Sequence, residues 1–162
     1  MLTIVDNINS HAVDQLFSLY SESMQDLLKS FSSAEEMKAA YTSFLTEILS
    51  HPRQFILVEE SNDVWVSGLR AIETASGSWF IEAVETKPET RRMGFGQALL
   101  RHTIDYLQTL DMTEVFCQIH KNNLKSQSLH RKCGFLPTDE PSIDPWGQLD
   151  ENTILFRLSV RV

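Results

Sequence analysis

The apolar positions along the chain change their period several times, and each change marks an element. Thr3-Ile4-Val5 is short and β-branched, as a first strand would be, and Asn9 or Ser10 is placed to cap a helix behind it. Val13, Leu16, Phe17, Tyr20, Met24, Leu27 and Leu28 then recur on one face at helical spacing, which predicts one amphipathic helix. Ser33-Ala34-Glu35-Glu36 is a capping box, and Met37, Tyr41, Phe44, Leu45 and Ile48 carry a second helix that His51-Pro52 ends. Phe55 to Val58 is a strand, Ser61-Asn62-Asp63 a turn, and Val64 to Ile72 a strand antiparallel to the first. Gly77 marks another turn before a third strand, Trp79 to Thr86.

Helical spacing returns in Leu100, Ile104, Leu107 and Leu110, so a helix covers about 96–110. Val115 to His120 reads as a strand, Asn123 to Cys133 as a short helix, and Gly134-Phe135 leads into a further strand. Pro137, Pro141 and Pro145 break up an acidic loop that holds Asp139, Glu140, Asp144 and Trp146, and Thr153 to Val160 closes the chain as a strand. The order βααβββαβαββ predicts one mixed sheet with helices on both faces. No repeat, low-complexity tract or linker interrupts it, so a single domain over 1–162 is expected.

Composition narrows the partners. The net charge of −8, from 14 basic and 22 acidic residues, argues against nucleic acid and is compatible with a cationic small molecule. No basic, apolar leader opens the sequence and no segment approaches a membrane span, so no membrane is expected. Two cysteines, Cys117 and Cys133, make no disulfide framework, which fits a reducing, cytoplasmic setting. The histidines show no ligand spacing, and no metal is expected.

One stretch departs from ordinary helix chemistry. Arg91-Arg92-Met93-Gly94-Phe95-Gly96 runs straight into Gln97-Ala98-Leu99-Leu100. A helix start carries unpaired N–H groups and partial positive charge, so two arginines there add to the positive end instead of balancing it. They make sense if an anion binds, with Gly94 and Gly96 leaving no Cβ in its way. The plain alternative is a glycine turn with two solvated arginines. Two better-known phosphate loops fit poorly: Gly96-Gln97-Ala98 lacks a Gly-Lys-Ser/Thr ending, and Leu99 stands where a dinucleotide fingerprint wants Gly or Ala.

In sequence and in place, Arg91-x-x-Gly94-x-Gly96 resembles the acyl-CoA loop of the GNAT superfamily of acetyl-CoA-dependent N-acetyltransferases. A second motif of that family, Asn-x-x-Ser/Ala followed by Leu, usually Tyr, and Gly-Phe, has its counterpart in Asn123, Ser126, Leu129, His130, Gly134 and Phe135. The resemblance covers roughly residues 55–136. It implies an α/β fold with a mixed, mostly antiparallel sheet of about seven strands flanked by about four helices, its central strands splayed apart. It also implies acetyl-CoA as cosubstrate, with the diphosphate on the loop formed by Arg91, Arg92, Met93, Gly94, Phe95, Gly96 and Gln97. Pantetheine would run along the strand that ends Val84-Glu85-Thr86, bonded to its backbone, with Ser126 also among the cofactor-binding residues and Asn123 either contacting the pantetheine arm or anchoring the following helix.

Amide formation sets the remaining requirements. An amine with a lysine-like pKa of about 10.4 must lose a proton before it attacks a thioester. The site therefore wants a base, an oxyanion donor and an acid near sulfur. Glu82 is the first candidate base. By period two it shares a face with Phe80, Val84 and Thr86, while Glu85 points the other way and is the reserve. His130 stands where the family usually has its Tyr, which implies the general acid. Cys117 and Cys133 read as small packing residues, so direct transfer in a ternary complex is expected.

Tyr20, Glu22, Met24, Phe31, Tyr41, Trp79 and Trp146 are candidates for the acceptor pocket, although Tyr20, Met24 and Tyr41 also fall on apolar helix faces. The expected activity is acetyl transfer to a primary amine of a small molecule, and a homodimer is admitted. The rivals are a protein acetyltransferase and a non-catalytic acyl-CoA-binding module.

Overall fold

The structure is a computed structural model and describes residues 1–160; Arg161 and Val162, the end of the expected domain, lie outside the described residues. The elements are β1 (Leu2–Ile4), α1 (Ser10–Leu19), α2 (Ser21–Leu28), α3 (Ala34–Ser50), β2 (Gln54–Ser61), β3 (Val64–Ala75), β4 (Ser78–Thr86), a 3-10 turn (Pro88–Thr90), α4 (Phe95–Gln108), β5 (Glu114–His120), α5 (Leu124–Lys132), β6 (Leu136–Pro137) and β7 (Thr153–Ser159). One seven-stranded sheet takes them in the order β1-β2-β3-β4-β5-β7-β6. Every neighbouring pair is antiparallel except β4 and β5.

Alternation along the strands sorts two apolar clusters onto the two faces. Ile56 and Val58 meet Val13, Leu16 and Leu19 of α1 and Leu45 and Ile48 of α3. Leu57, Leu69, Ala71, Trp79 and Ile81 meet Leu99, Leu100 and Leu107 of α4 on the other face. The Ser33 hydroxyl caps α3 as expected by accepting the Glu36 N–H at 3.1 Å, while the Glu36 carboxylate reaches back one residue further, to the Ser32 N–H at 3.1 Å.

The first predicted helix is two. Tyr20 leaves helical geometry (φ −95°, ψ 23°) between α1 and α2, which brings the α helices among the described residues to five. Periodicity missed the break because Met24 keeps its buried place beyond it, while Leu27 and Leu28 are 50% and 41% exposed. What breaks the run is a tertiary contact. The Tyr20 hydroxyl donates to the Ala83 carbonyl of β4 at 2.7 Å.

Candidate active site

β4 and β5 pair only over Ser78–Phe80 with Glu114–Phe116. From Ile81 to Thr86 the β5-side edge of β4 has no strand partner among the described residues, so a groove opens between the two strands. Residues from both walls of that groove and from α1, α2 and α3 line one cavity of about 470 Å³. Glu82, Val84, Asn123, Ser126 and His130, scattered over the sequence, all meet there.

A bulge in β4 decides which side chains face it. Arg70 of β3 lies opposite Glu82 and Gly68 lies opposite Glu85, which leaves Ala83 and Val84 opposite Leu69 alone. Ala83 absorbs the extra residue at φ 53°, a left-handed angle that costs an alanine about 1 kcal/mol. Beyond the bulge the alternation is inverted, so the strict period-two expectation fails there. Glu85 shares the face of Arg70, Phe80 and Glu82, whereas Val84 packs towards the α4 side and Thr86 hydrogen-bonds Ser67 on that side at 2.8 Å.

The two carboxylates have different surroundings. Glu82 is ion-paired with Arg70. Glu85 accepts the Ser23 hydroxyl at 3.1 Å, and burial raises its pKa, with Glu22 adding to the rise while Ser23 and Arg91 oppose it. Arg70 lies under two rings, its Cζ 5.4 Å from the Phe44 centroid and 5.9 Å from that of Trp146. Burial raises the pKa of Tyr20 and Tyr41, and both stay as phenols.

His130 is 2% exposed and stands edge-on to Phe135 at 5.3 Å. Its Nδ1 lies 2.7 Å from the Ser126 carbonyl, which can only accept, so the ring proton sits on Nδ1. Nε2 is buried without a partner. Burial lowers the pKa, more than the Ser126 carbonyl restores it. In this tautomer the neutral ring carries its lone pair on the buried Nε2 and its proton on Nδ1. Asn123 anchors α5, its side chain accepting the Ser126 N–H at 3.1 Å.

The α4 N-terminus fits an anion. Gly94 caps it at φ 86° with no side-chain cap, no acidic residue stands in the first turn, and the N–H groups of Phe95, Gly96 and Gln97 have no helical acceptor. A Cβ built on Gly94 would meet nothing within 4 Å, so the front of the loop is open. On Gly96 it would lie 3.2 Å from Thr86 Oγ1 and 3.3 Å from Leu129 Cδ2, so that glycine serves helix packing. Met93 is exposed, and Arg92 holds φ 65°. Arg91 is already engaged, with Nε on the Thr86 carbonyl at 3.1 Å and Nη2 on Glu22 at 2.6 Å.

The model of the acetyltransferase (GNAT) family matches residues 14–135. The chain belongs to that family. It is therefore an acyltransferase, and its sheet splays between β4 and β5. PaiA N-acetyltransferase from Thermoplasma acidophilum, solved with coenzyme A, superposes with a TM-score of 0.72 at 15% identity, over 99% of each chain. The ribosomal-protein-S18-alanine N-acetyltransferase of Escherichia coli gives 0.68 at 16% identity, over 100% of this chain and 96% of that one. An aminoglycoside 6'-N-acetyltransferase complexed with coenzyme A gives 0.70 at 11%, over 98% and 96%. At such identities the likeness is one of fold. No curated protein sequence matches the chain.

As a GNAT enzyme the chain takes acetyl-CoA as cosubstrate, and the open α4 loop and unpaired β4 edge suit its diphosphate and pantetheine. No cluster of metal-ligating side chains occurs among the described residues, and none of their helices is long and apolar enough to cross a membrane. Of the acceptor candidates, Tyr20, Met24 and Tyr41 line the cavity and Trp146 stands over Arg70. Trp79 is fully buried in the α4-side core, Glu22 is spent on Arg91, and Phe31 does not line the cavity. Sequence reasoning missed Arg70. The signal was there: β3 is buried from Trp65 to Ile72 except at this one charged residue.

Proposed function

We propose that the protein moves the acetyl group of acetyl-CoA to a primary amine of a small molecule by direct transfer in a ternary complex. The observation that carries this reading is the junction of two features. The unpaired edge of β4 opens into a chamber walled by Ser23, Met24, Tyr41 and Phe44 and floored by carboxylates. Such walls suit a compact amine more than an extended chain. Direct transfer is supported by the cysteines, since burial raises the thiol pKa of both Cys117 and Cys133 and leaves no ready nucleophile.

Glu85 takes the proton from the acceptor ammonium, because it faces the chamber with a raised pKa and holds no direct ion pair among the described residues. Glu82, the first candidate in sequence, faces the same chamber and holds Arg70. The free N–H groups on the edge of β4 supply hydrogen bonds to a developing oxyanion. His130 lines the same cavity beside Ser126, with its Nε2 walled off from the groove. The acetyl-CoA cosubstrate supplies the activated acyl carbonyl, held by Val84 and Thr86 of β4, by the loop from Arg91 to Gln97, and by Asn123 and Ser126.

Thermal unfolding with and without acetyl-CoA tests the donor side. Ligand at 100 times its dissociation constant adds ~2.7 kcal/mol of stability, roughly 5–11 °C for a chain of this size. An amine screen that reads acetyl-dependent thiol release tests the acceptor side. A peptide amine that outperformed every small amine would overturn the small-molecule reading.

A further inference from the structure

We propose that the acceptor carries a carboxylate as well as its amine, and that Arg70 receives that carboxylate. The inference rests on the reading of the chamber as the amine site and adds the chemical class of the molecule that fills it.

Arg70 is the one charged residue in the buried run of β3, and its side chain is 15% exposed. A long cation is not put there for packing alone, since desolvating it is costly unless its donors are matched. They are matched only in part. A guanidinium offers five N–H donors in a planar fork. Among the described residues its one carboxylate partner is Glu82, reached through Nη2, while Nε is buried with no acceptor. The rings of Phe44 and Trp146 pack against the guanidinium, and Arg70 lines the chamber, so its unmatched charge stands beside whatever enters. Burial lowers the pKa of Arg70, as incomplete pairing should.

The β4 bulge supplies the opposite charge. It turns Glu85 to the same face, over Gly68, one register step from Arg70 over Ile56 and Glu82. With Glu82 neutralised by Arg70, the chamber has a carboxylate end at Glu85 and a guanidinium edge at Arg70. An ω-amino acid presents the complementary pair, with its ammonium to Glu85 and its carboxylate in the guanidinium fork. A diamine would turn a second ammonium towards Arg70, and a simple alkylamine would leave the fork unmatched.

Matched pairs of ligands test this on the full chain: γ-aminobutyrate against putrescine, and δ-aminovalerate against cadaverine. Binding is measured calorimetrically in the presence of coenzyme A, and turnover by thiol release with acetyl-CoA. The expected result is a preference of about tenfold or more for the amino acid in at least one pair, equivalent to ~1.4 kcal/mol. Arg70→Gln should abolish or invert that preference while leaving acetyl-CoA affinity unchanged. Arg70→Lys, which keeps the charge and loses the fork, should retain part of it and guards against misfolding of the glutamine variant. Diamines handled as well as amino acids, or neither class bound by a protein that does bind acetyl-CoA, would overturn the carboxylate assignment alone. A protein that binds no acetyl-CoA would overturn the reading of the site and this inference with it.

Discussion

Glu85 has a higher pKa in the fold than the ordinary 4.5, chiefly through burial. Its ionisation therefore opposes folding: the stability it contributes is full below 4.5 and is lost as pH rises through the raised value. Glu85→Gln should raise the melting temperature at neutral pH, with the gain gone in acid, and should strip the acid limb from the pH–rate profile. An unchanged profile would return the base to Glu82 or to water. His130 has the opposite sign. Its pKa is lowered below 6.5, so its stability contribution is lost as pH falls below 6.5 towards the lowered value. Nitrogen NMR should find the neutral ring protonated on Nδ1, with a midpoint below 6.5. A proton on Nε2 at neutral pH would overturn that tautomer.

At the scale of elements, two junctions carry the chemistry. Tyr20 ends α1 and ties the α1–α2 corner to the bulge through the Ala83 carbonyl. Gly68 makes room for it, since a Cβ there would come 2.7 Å from Leu19 Cδ2 and 3.2 Å from the Tyr20 hydroxyl. Tyr20→Phe should cost about 1 kcal/mol of stability for the lost hydrogen bond. It should also lower kcat by more than it lowers acetyl-CoA affinity, because the bulge aims Glu85 while the diphosphate loop at α4 stays in place. Equal losses in both would show that the contact only packs. The second junction is the start of α4. Gly94→Glu should abolish the thermal shift with acetyl-CoA, since a carboxylate would stand where free N–H groups and partial positive charge await an anion. A retained shift would place the donor elsewhere.

Across the molecule, the groove exists because β4 pairs with its two neighbouring strands unequally: it is bonded to β3 along most of its length and to β5 over three residues. The order of elements, the antiparallel meander and the helix at the glycine loop were all legible from periodicity and turn chemistry. So was the family, because Arg91-x-x-Gly94-x-Gly96 and Asn123 to Phe135 are local runs whose spacing survives in sequence. Glu85 and Arg70 were not legible as a pair, because the face of Glu85 hangs on one residue at φ 53° that looks like an ordinary alanine.

By itself, then, the sequence determined the order of elements, the anion-ready start of α4 and the membership of an acetyltransferase family. These depend on contacts within a few residues, where hydrophobic period, caps and glycines act directly. Tertiary structure alone decided that Tyr20 breaks its helix, that the bulge turns Glu85 to the chamber Glu82 already faces, and that Nε2 of His130 is walled in. Each of these follows from a partner far away in the chain or adjacent only through the fold: Ala83 for Tyr20, Leu69 for the bulge, and the buried wall around Nε2 for His130.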